Sequence, residues 1–408
     1  MRSRRDLESL FKAALAAVNG RRAVAAALRG ASAPPAGAFH LLAIGKAAAA
    51  MAHGLADVRG ADVLGGLVIT RVGYDDPELA GRIPVRQLTA AHPVPDAASL
   101  AAGDALVDYL RLAPADARFV FLISGGASSL VERPVMGRDP AAIARLNEWL
   151  LASGMDIARM NAVRQAVSTI KGGRLAGWLE GRRADGLLIS DVPGDDPAVI
   201  GSGLLAADSG ADRAGDVLGE LPAGLQPAAP APAPDAAVFD NVHLQIVASN
   251  AIARQAVADA ARSRGWPVRT GERPLAGEAT TLGREVAAAL LSGPPGIVVM
   301  GGEPTVHLPP RPGRGGRMQA LALAAAEELR GSDCRLLAAG TDGADGPGAD
   351  AGAVVDGGTV ARARRAGLEP AAALARADAG AVLAATGDLL RTGPTDTNVA
   401  DLVIGDRP

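Results

Sequence analysis

Cysteine is almost missing from this chain of 408 residues: the one present, Cys334, stands in the apolar stretch Cys-Arg-Leu-Leu-Ala-Ala. A single thiol forms no disulfide within the chain, so the fold must rest on its core, and a reducing cytoplasm fits. Aromatic residues make up 2% of the chain and the formal net charge is -3. That leaves neither a set of base-stacking platforms nor a general basic excess, which argues against nucleic acid as a partner. Long hydrophobic runs are lacking too. Stretches such as Gly186 to Ile189 and Gly296 to Gly301 fall far short of the roughly 20 residues that span a bilayer, so no membrane partner is expected. The opening Met-Arg-Ser-Arg-Arg is basic, but Asp6, Glu8 and Lys12 break up the residues after it before an apolar core can form, and no targeting segment is read there. Lysine is scarce as well: Lys12, Lys46 and Lys171 are three of 41 basic residues.

What is present is enough apolar material, 49% of the residues, for two cores in a chain of this length. Leu7, Leu10, Phe11, Ala14, Leu15 and Val18 recur at helical spacing and predict an amphipathic helix at the start. Beyond it a unit repeats, in which a short apolar run ends in Gly or polar residues and leads into an alanine-rich helical stretch. The runs are His40–Gly45, Arg118–Gly125, Gly186–Asp191, Leu244–Asn250, Gly296–Glu303 and Arg335–Asp342. Alternating strand and helix patterns predict an α/β fold, with two domains that are each a largely parallel sheet flanked by helices. Five prolines between Leu221 and Asp235 mark a spacer and place the boundary there, giving domains over 1–235 and 236–408.

Ligands of open α/β sheets bind beyond the carboxyl ends of the strands, so the residues just after each run are the candidates for chemistry. Gly45-Lys46 closes the first run and opens a helix, setting an ammonium beside helix N–H groups in a way that suits an anion. Ser124, Gly125, Gly126 and Ser128 form a loop that reads either as a phosphate cradle or as a tight glycine turn. Asn161, Arg164 and Ser168 share one helix face, and Lys171 and Arg174 extend a basic cluster around two glycines. Asp191, Asp195 and Asp196 crowd a turn that suits a hard cation or is an ordinary Asp-Pro turn. Glu303 and the string Thr341 to Gly346, with Asp342, repeat that theme. Gly315, Gly316 and Arg317 precede a helix and can direct N–H groups and a guanidinium at phosphate oxygens. Asn250 reads equally as a helix cap or a ligand contact, Asn398 equally as part of a polar turn or a ligand contact, and His92, followed by two prolines, reads as structural. Neither a Walker A motif nor a Gly-x-Gly-x-x-Gly comes after any of these strands.

Taken in order, these strings resemble the glycerate 2-kinase family, whose C-terminal half is known as the MOFRL domain. The match runs from about Leu10 to Ile404. It is carried by Gly45-Lys46-Ala47, His92-Pro-Val-Pro-Asp96, Ile123-Ser-Gly-Gly126, Asn161-Ala-Val-Arg164, Lys171-Gly-Gly-Arg-Leu-Ala176, Ser190-Asp-Val-Pro-Gly-Asp195, Ile200-Gly-Ser-Gly203, Gly301-Gly-Glu303, Gly315-Gly-Arg317, Gly340-Thr-Asp-Gly343 and Asn398-Val399. The resemblance implies transfer of the γ-phosphate of ATP to the 2-hydroxyl of D-glycerate, with Mg²⁺ or another divalent metal, in a cleft between two α/β domains. It implies Lys46, Arg317 and Asp191 as catalytic and Asp195, Glu303 and Asp342 as metal candidates. Ser124, Gly125, Gly126, Ser128, Asn161, Arg164, Lys171, Arg174, Asn250, Gly315, Gly316 and Asn398 become candidates for substrate and nucleotide binding. The chain departs from the family pattern at Met318, Ala320 and Asp396, which leaves room for a related hydroxy acid as substrate. An NAD(P)-dependent hydroxypyruvate reductase and a non-catalytic ligand sensor are the rival readings, and a homo-oligomer is compatible with all of them.

Overall fold

The computed structural model describes residues 2–135, 140–153, 155, 157–206, 218, 219, 221, 222, 225, 226 and 231–408. Part of the proline-rich spacer, including Pro227 and Pro230, lies outside these. The chain divides into two compact units, residues 20–247 and residues 1–19 with 248–408. The division falls twelve residues beyond Asp235, and the opening helix belongs with the later part of the chain.

In the 20–247 unit six strands, β1 (Phe39–Ile44), β2 (Val63–Arg71), β3 (Val85–Ala90), β4 (Phe119–Ile123), β5 (Ala184–Ile189) and β6 (Val242–Ala248), lie in the order β3-β2-β1-β4-β5-β6. The pairs from β3 through β5 are parallel. Helices cover both faces of such a sheet, which is why β4 and β5 are buried along their whole length, β4 with apolar residues throughout. After β1 the chain winds outward to one side through β2 and β3; from β4 it winds to the other. The reversal makes the gap between the ends of β1 and β4 the switch point where a doubly wound sheet binds its ligand. Gly45-Lys46 and Ser124-Gly125-Gly126 are the segments that leave those two strand ends.

The other unit is built on β7 (Val268–Thr270), β8 (Gly296–Gly302), β9 (Arg335–Gly340), β10 (Gly352–Asp356), β11 (Leu389–Leu390) and β12 (Asp401–Arg407), in the order β11-β10-β9-β12-β8-β7. The α/β layering is as expected, but the pairing is mixed. β7 and β8 are parallel, whereas β12 runs antiparallel to both β8 and β9, and β10 antiparallel to β9 and β11. Parallel neighbours need a crossover of a dozen residues or more. The helix Arg317–Glu328 supplies one between β8 and β9 and leaves a one-strand slot, which β12 fills after a short helix-free return from β11. That helix is buried on every side from Met318 to Ala326, so it is the core element of the unit. The opening helix Arg4–Val18 buries Leu7, Leu10, Phe11, Ala14 and Val18 and packs on helix Asn250–Arg262, which explains its membership here. No helix among the described residues is long and apolar enough to cross a membrane.

Candidate active site

At the switch point of the 20–247 unit, Lys46 is held by its backbone: its amide donates to the Gly125 carbonyl at 2.9 Å, and the next amide, of Ala47, donates to Ser124 Oγ at 3.1 Å. The β1 and β4 loops are thus locked to each other. Gly45 has φ +133°, and a methyl group there would lie 2.1 Å from Ser124 Oγ and 2.6 Å from the Ser124 carbonyl oxygen, so no side chain fits. Gly126, at φ +87°, is flanked on one side by Lys46 Cγ and on the other by the His92 ring, 3.1 and 3.0 Å from where its β-carbon would stand. His92 therefore belongs to the surroundings of Lys46 rather than to a distant strand exit. Its burial, with the positive charges of Lys46 and Arg71 nearby, pushes the imidazole down to about 4, so at neutral pH it is an uncharged ring beside a cation. The signal for this was in the sequence, in the polar string His92 to Asp96 just after a strand, but nothing there tied it to Lys46.

The loop is continued through Ser128, whose Oγ lies 2.7 Å from Ser202 Oγ. Ser202 sits at φ +61° between two left-handed glycines, an arrangement that costs energy for a residue with a β-carbon. Its carbonyl accepts from the Gly172 amide at 2.9 Å and from Gln165 Nε2 at 3.4 Å. The expected basic cluster sorts out here. Lys171, 1% exposed, pairs with the buried Glu132, which also accepts from Ser168 Oγ at 2.7 Å and the Arg133 amide at 2.8 Å. Arg174 spends its guanidinium on the carbonyls of Gln165, Lys171, Ala231 and Pro232, at 2.8 to 3.0 Å. Both are scaffold, which corrects their reading as ligand contacts: a buried ammonium and a guanidinium filled with carbonyls have nothing left to offer. Asn161 and Arg164, on helix Ile157–Ala166, are partly buried. Asp191 lies partly buried just past the end of β5, and Asp195 at φ +56° in the turn after it.

In the other unit Arg317 opens helix Arg317–Glu328. Its Nε donates to Asp401 at 2.6 Å and its NH1 to Glu303 at 2.8 Å, leaving a third of the side chain exposed. Burial pushes the Asp401 carboxyl up to about 7, against the opposing pull of Arg317. The helix start itself is not open to phosphate. The amides of Met318 and Gln319 donate to the two carboxylate oxygens of Asp345, at 3.0 and 2.7 Å, and a methyl on Gly316 would run into Asp345 at 2.3 Å. Gly315, at φ +137°, turns the chain into this cap. Asp345 thus takes the Met318 and Gln319 amides, while Gly315 and Gly316 bring the chain to Arg317, whose guanidinium is partly exposed. Met318 and Ala320 are core residues, so the departures there are packing changes, and Asp396 keeps the left-handed turn at φ +59° that a glycine would make. Asn250 clasps the carbonyls of Val399 and Asp401, at 2.9 and 3.0 Å, and its Oδ1 is so close to Gly301 that only glycine fits. Asn398 closes a local turn onto the Ala400 amide at 3.3 Å. Both asparagines shape the backbone next to Asp401, an acid that sequence reasoning passes over along with Glu132 and Asp345.

Of the acids expected to hold a metal, Glu303 is paired with Arg317, and Asp342 Oδ1 accepts from the Ala344 amide at 3.1 Å. No group of three or more His, Cys, Asp or Glu residues suited to a cation occurs among the described residues.

Two family models match the chain: a domain of unknown function (DUF4147) over residues 6–225 and the MOFRL family over residues 296–401. A putative hydroxypyruvate reductase of Agrobacterium vitis is 38% identical over 375 residues, covering 88% of this chain and 96% of the relative. The D-glycerate 2-kinase of Thermotoga maritima is 35% identical over 383 residues, covering 90% and 89%. The crystal structure of a glycerate kinase from Thermotoga maritima superposes with a TM-score of 0.86 at 32% identity, covering 98% of both chains.

Proposed function

This chain belongs to the glycerate 2-kinase family, and from that premise we propose that it moves the γ-phosphoryl group of ATP to the 2-hydroxyl of D-glycerate, releasing ADP and 2-phosphoglycerate. In the step, the hydroxyl oxygen bonds to the γ-phosphorus as the bond from that phosphorus to the β,γ-bridging oxygen breaks, and the hydroxyl proton leaves to a carboxylate. Such a transfer requires positioning and cations on the phosphoryl oxygens more than covalent help. The observation that carries this reading is Lys46, an ammonium at the switch point with its backbone fixed by Gly125 and its flank formed by Gly126 and an uncharged His92. There it meets charge that develops on the transferring group without a competing imidazolium beside it. Arg317 is our second phosphoryl clamp, held by Asp401 and Glu303 with part of its surface open. Asp191, past the end of β5, is our candidate acceptor of the hydroxyl proton. Mg²⁺ enters with ATP as its chelate, and no step is assigned to a protein-held ion. One buried cysteine and the absence of a spanning helix among the described residues are compatible with a cytoplasmic enzyme.

The name of the Agrobacterium vitis relative keeps a reductase as the competing reading. ADP release with D-glycerate, L-glycerate and related hydroxy acids, run beside NADH and NADPH oxidation with hydroxypyruvate, separates the two. ADP formed from D-glycerate, with no loss of nicotinamide absorbance, is the expected result; the reverse pattern overturns the kinase.

A further inference from the structure

Arg71 is the last residue of β2, and the register of the sheet sets it beside two groups of the switch point. Ile44 of β1 pairs with Ile69 of β2, and Lys46 and Arg71 each stand two residues beyond that pair. Arg71 in turn pairs with Ala90 of β3, two residues before His92. The guanidinium is held by neutral groups: its Cζ lies 3.8 Å from the centroid of the Tyr74 ring, and it donates to the Tyr74 hydroxyl. It forms no ion pair with a carboxylate among the described residues. Asp76 is committed to the His53 ring at 2.8 Å and the Glu78 amide at 3.0 Å, and Asp96 caps helix Ala97–Leu112 through the Ser99 amide at 3.0 Å. Contacts with a ring and a hydroxyl fix the direction of a guanidinium without cancelling its charge. Arg71 thus keeps a full positive charge at the ligand-binding end of the sheet.

The chemistry of the acceptor says which anion that charge suits. In a 2-hydroxy acid the carboxylate and the reacting hydroxyl sit on adjacent carbons, so the group that grips the carboxylate must stand beside the cation that meets the phosphoryl group. Arg71 has that relation to Lys46. Both charges bear on the His92 ring, which is itself uncharged at neutral pH and lies across Gly126 from Lys46.

We propose that Arg71 is the carboxylate anchor for the acceptor substrate, its planar fork taking both carboxylate oxygens while Tyr74 keeps it aimed. Arg71 then selects a 2-hydroxy acid over an uncharged compound of the same shape. The identity of the acceptor rests on the kinase reading; the placing of Arg71 beside Lys46 does not.

The test uses the full-length protein, Arg71→Ala, Arg71→Lys and Tyr74→Phe. KM is measured for D-glycerate and ATP, the inhibition constant for D-glyceramide, the uncharged amide of the same acid, and melting with and without D-glycerate. Arg71→Ala should raise KM for D-glycerate by at least about tenfold, the scale of a lost charge-assisted hydrogen bond, and leave KM for ATP within about twofold. Its inhibition by D-glyceramide should stay within about threefold of the parent, because the amide brings no charge for the guanidinium to meet. Arg71→Lys should recover part of the loss. Tyr74→Phe keeps the ring but removes the hydroxyl, so KM for D-glycerate alone should rise by about two- to tenfold, the worth of one hydrogen bond. The inference is overturned if Arg71→Ala leaves KM for D-glycerate within about twofold. It is also overturned if D-glycerate, D-glyceramide and ATP all weaken alike, the mark of a scaffold residue. If the parent forms no ADP from D-glycerate, the kinase reading fails by itself, and melting decides the anchor. A shift with D-glycerate that Arg71→Ala loses sustains it; a shift equal in both, or missing from the parent, overturns it.

Discussion

Replacing Lys171 by methionine removes an ammonium that is 1% exposed and strands its partner. Glu132 would keep the Ser168 hydroxyl and the Arg133 amide, two neutral donors, for a carboxylate that is 4% exposed. Breaking a buried pair from one side costs about 3–5 kcal/mol, and the nearby Arg164 charge holds the expectation to the lower end, about 3 kcal/mol. At about 2–4 °C per kcal/mol for a unit of this size, the melting temperature should drop by about 6–12 °C. Adding Glu132→Gln removes the stranded charge yet keeps an acceptor for Ser168, so the double variant should return to within about 1 kcal/mol of the parent. Scanning fluorimetry on the four members of this cycle in one buffer measures the coupling. Kinetics add the second arm: the double variant should keep kcat/KM within about fivefold, under about 1 kcal/mol in barrier, because Lys171 never meets substrate. A single variant that melts like the parent, or a stable double variant without activity, would refute the assignment of Lys171 to the scaffold.

Lys46→Ala should lower kcat by about a hundredfold or more, the scale of one electrostatic donor, with melting within about 0.5 kcal/mol of the parent and incomplete rescue by arginine; a kcat within about threefold removes Lys46 from the mechanism. Gly45→Ala should destabilise by about 2 kcal/mol or more and depress kcat as well, since φ +133° and the contact with Ser124 both forbid the methyl; unchanged melting counts against the locked loop. His92 titrates near 4 when folded and near its ordinary 6.5 when unfolded, so the unfolded chain binds more protons between those values. The stability this site lends is complete above about pH 6.5 and is lost as pH falls toward 4, so the melting difference between the parent and His92→Gln should shift against the parent across that window; a flat difference would place His92 in solvent.

All six apolar runs picked from the sequence are strands; β1 and β4, paired in parallel on both sides, are the plainest, because strands buried on both faces are written as near-continuous apolar runs. Among the strands outside those runs, β3 and β7 are edge strands whose polar residues Arg86 and Arg269 stand exposed. Lys46 and the Ser124 loop are legible since strand ends and rare residue types are local features. Lys171 and Arg174 are misread for the converse reason. Whether a cation meets a ligand or a buried partner depends on Glu132, 39 residues away, and on carbonyls at Ala231 and Pro232, which no local pattern announces. Asp345 goes unassigned within a conspicuous string, because capping the helix at Met318 and Gln319 is a tertiary event.

The slot that β12 fills has a consequence for how this chain is made. β8 and β9 are synthesised with their facing edges bare, and the strand that pairs with both emerges about a hundred residues after β8, an interval of about 5–20 s at ribosomal rates of about 5–20 residues per second. During that time two apolar strand edges of matching length stand open to any other extended chain. The nascent 248–400 segment is therefore the place where a chaperone has most to shield, and slowing translation between β9 and β12 should raise aggregation more than the same delay within residues 20–247.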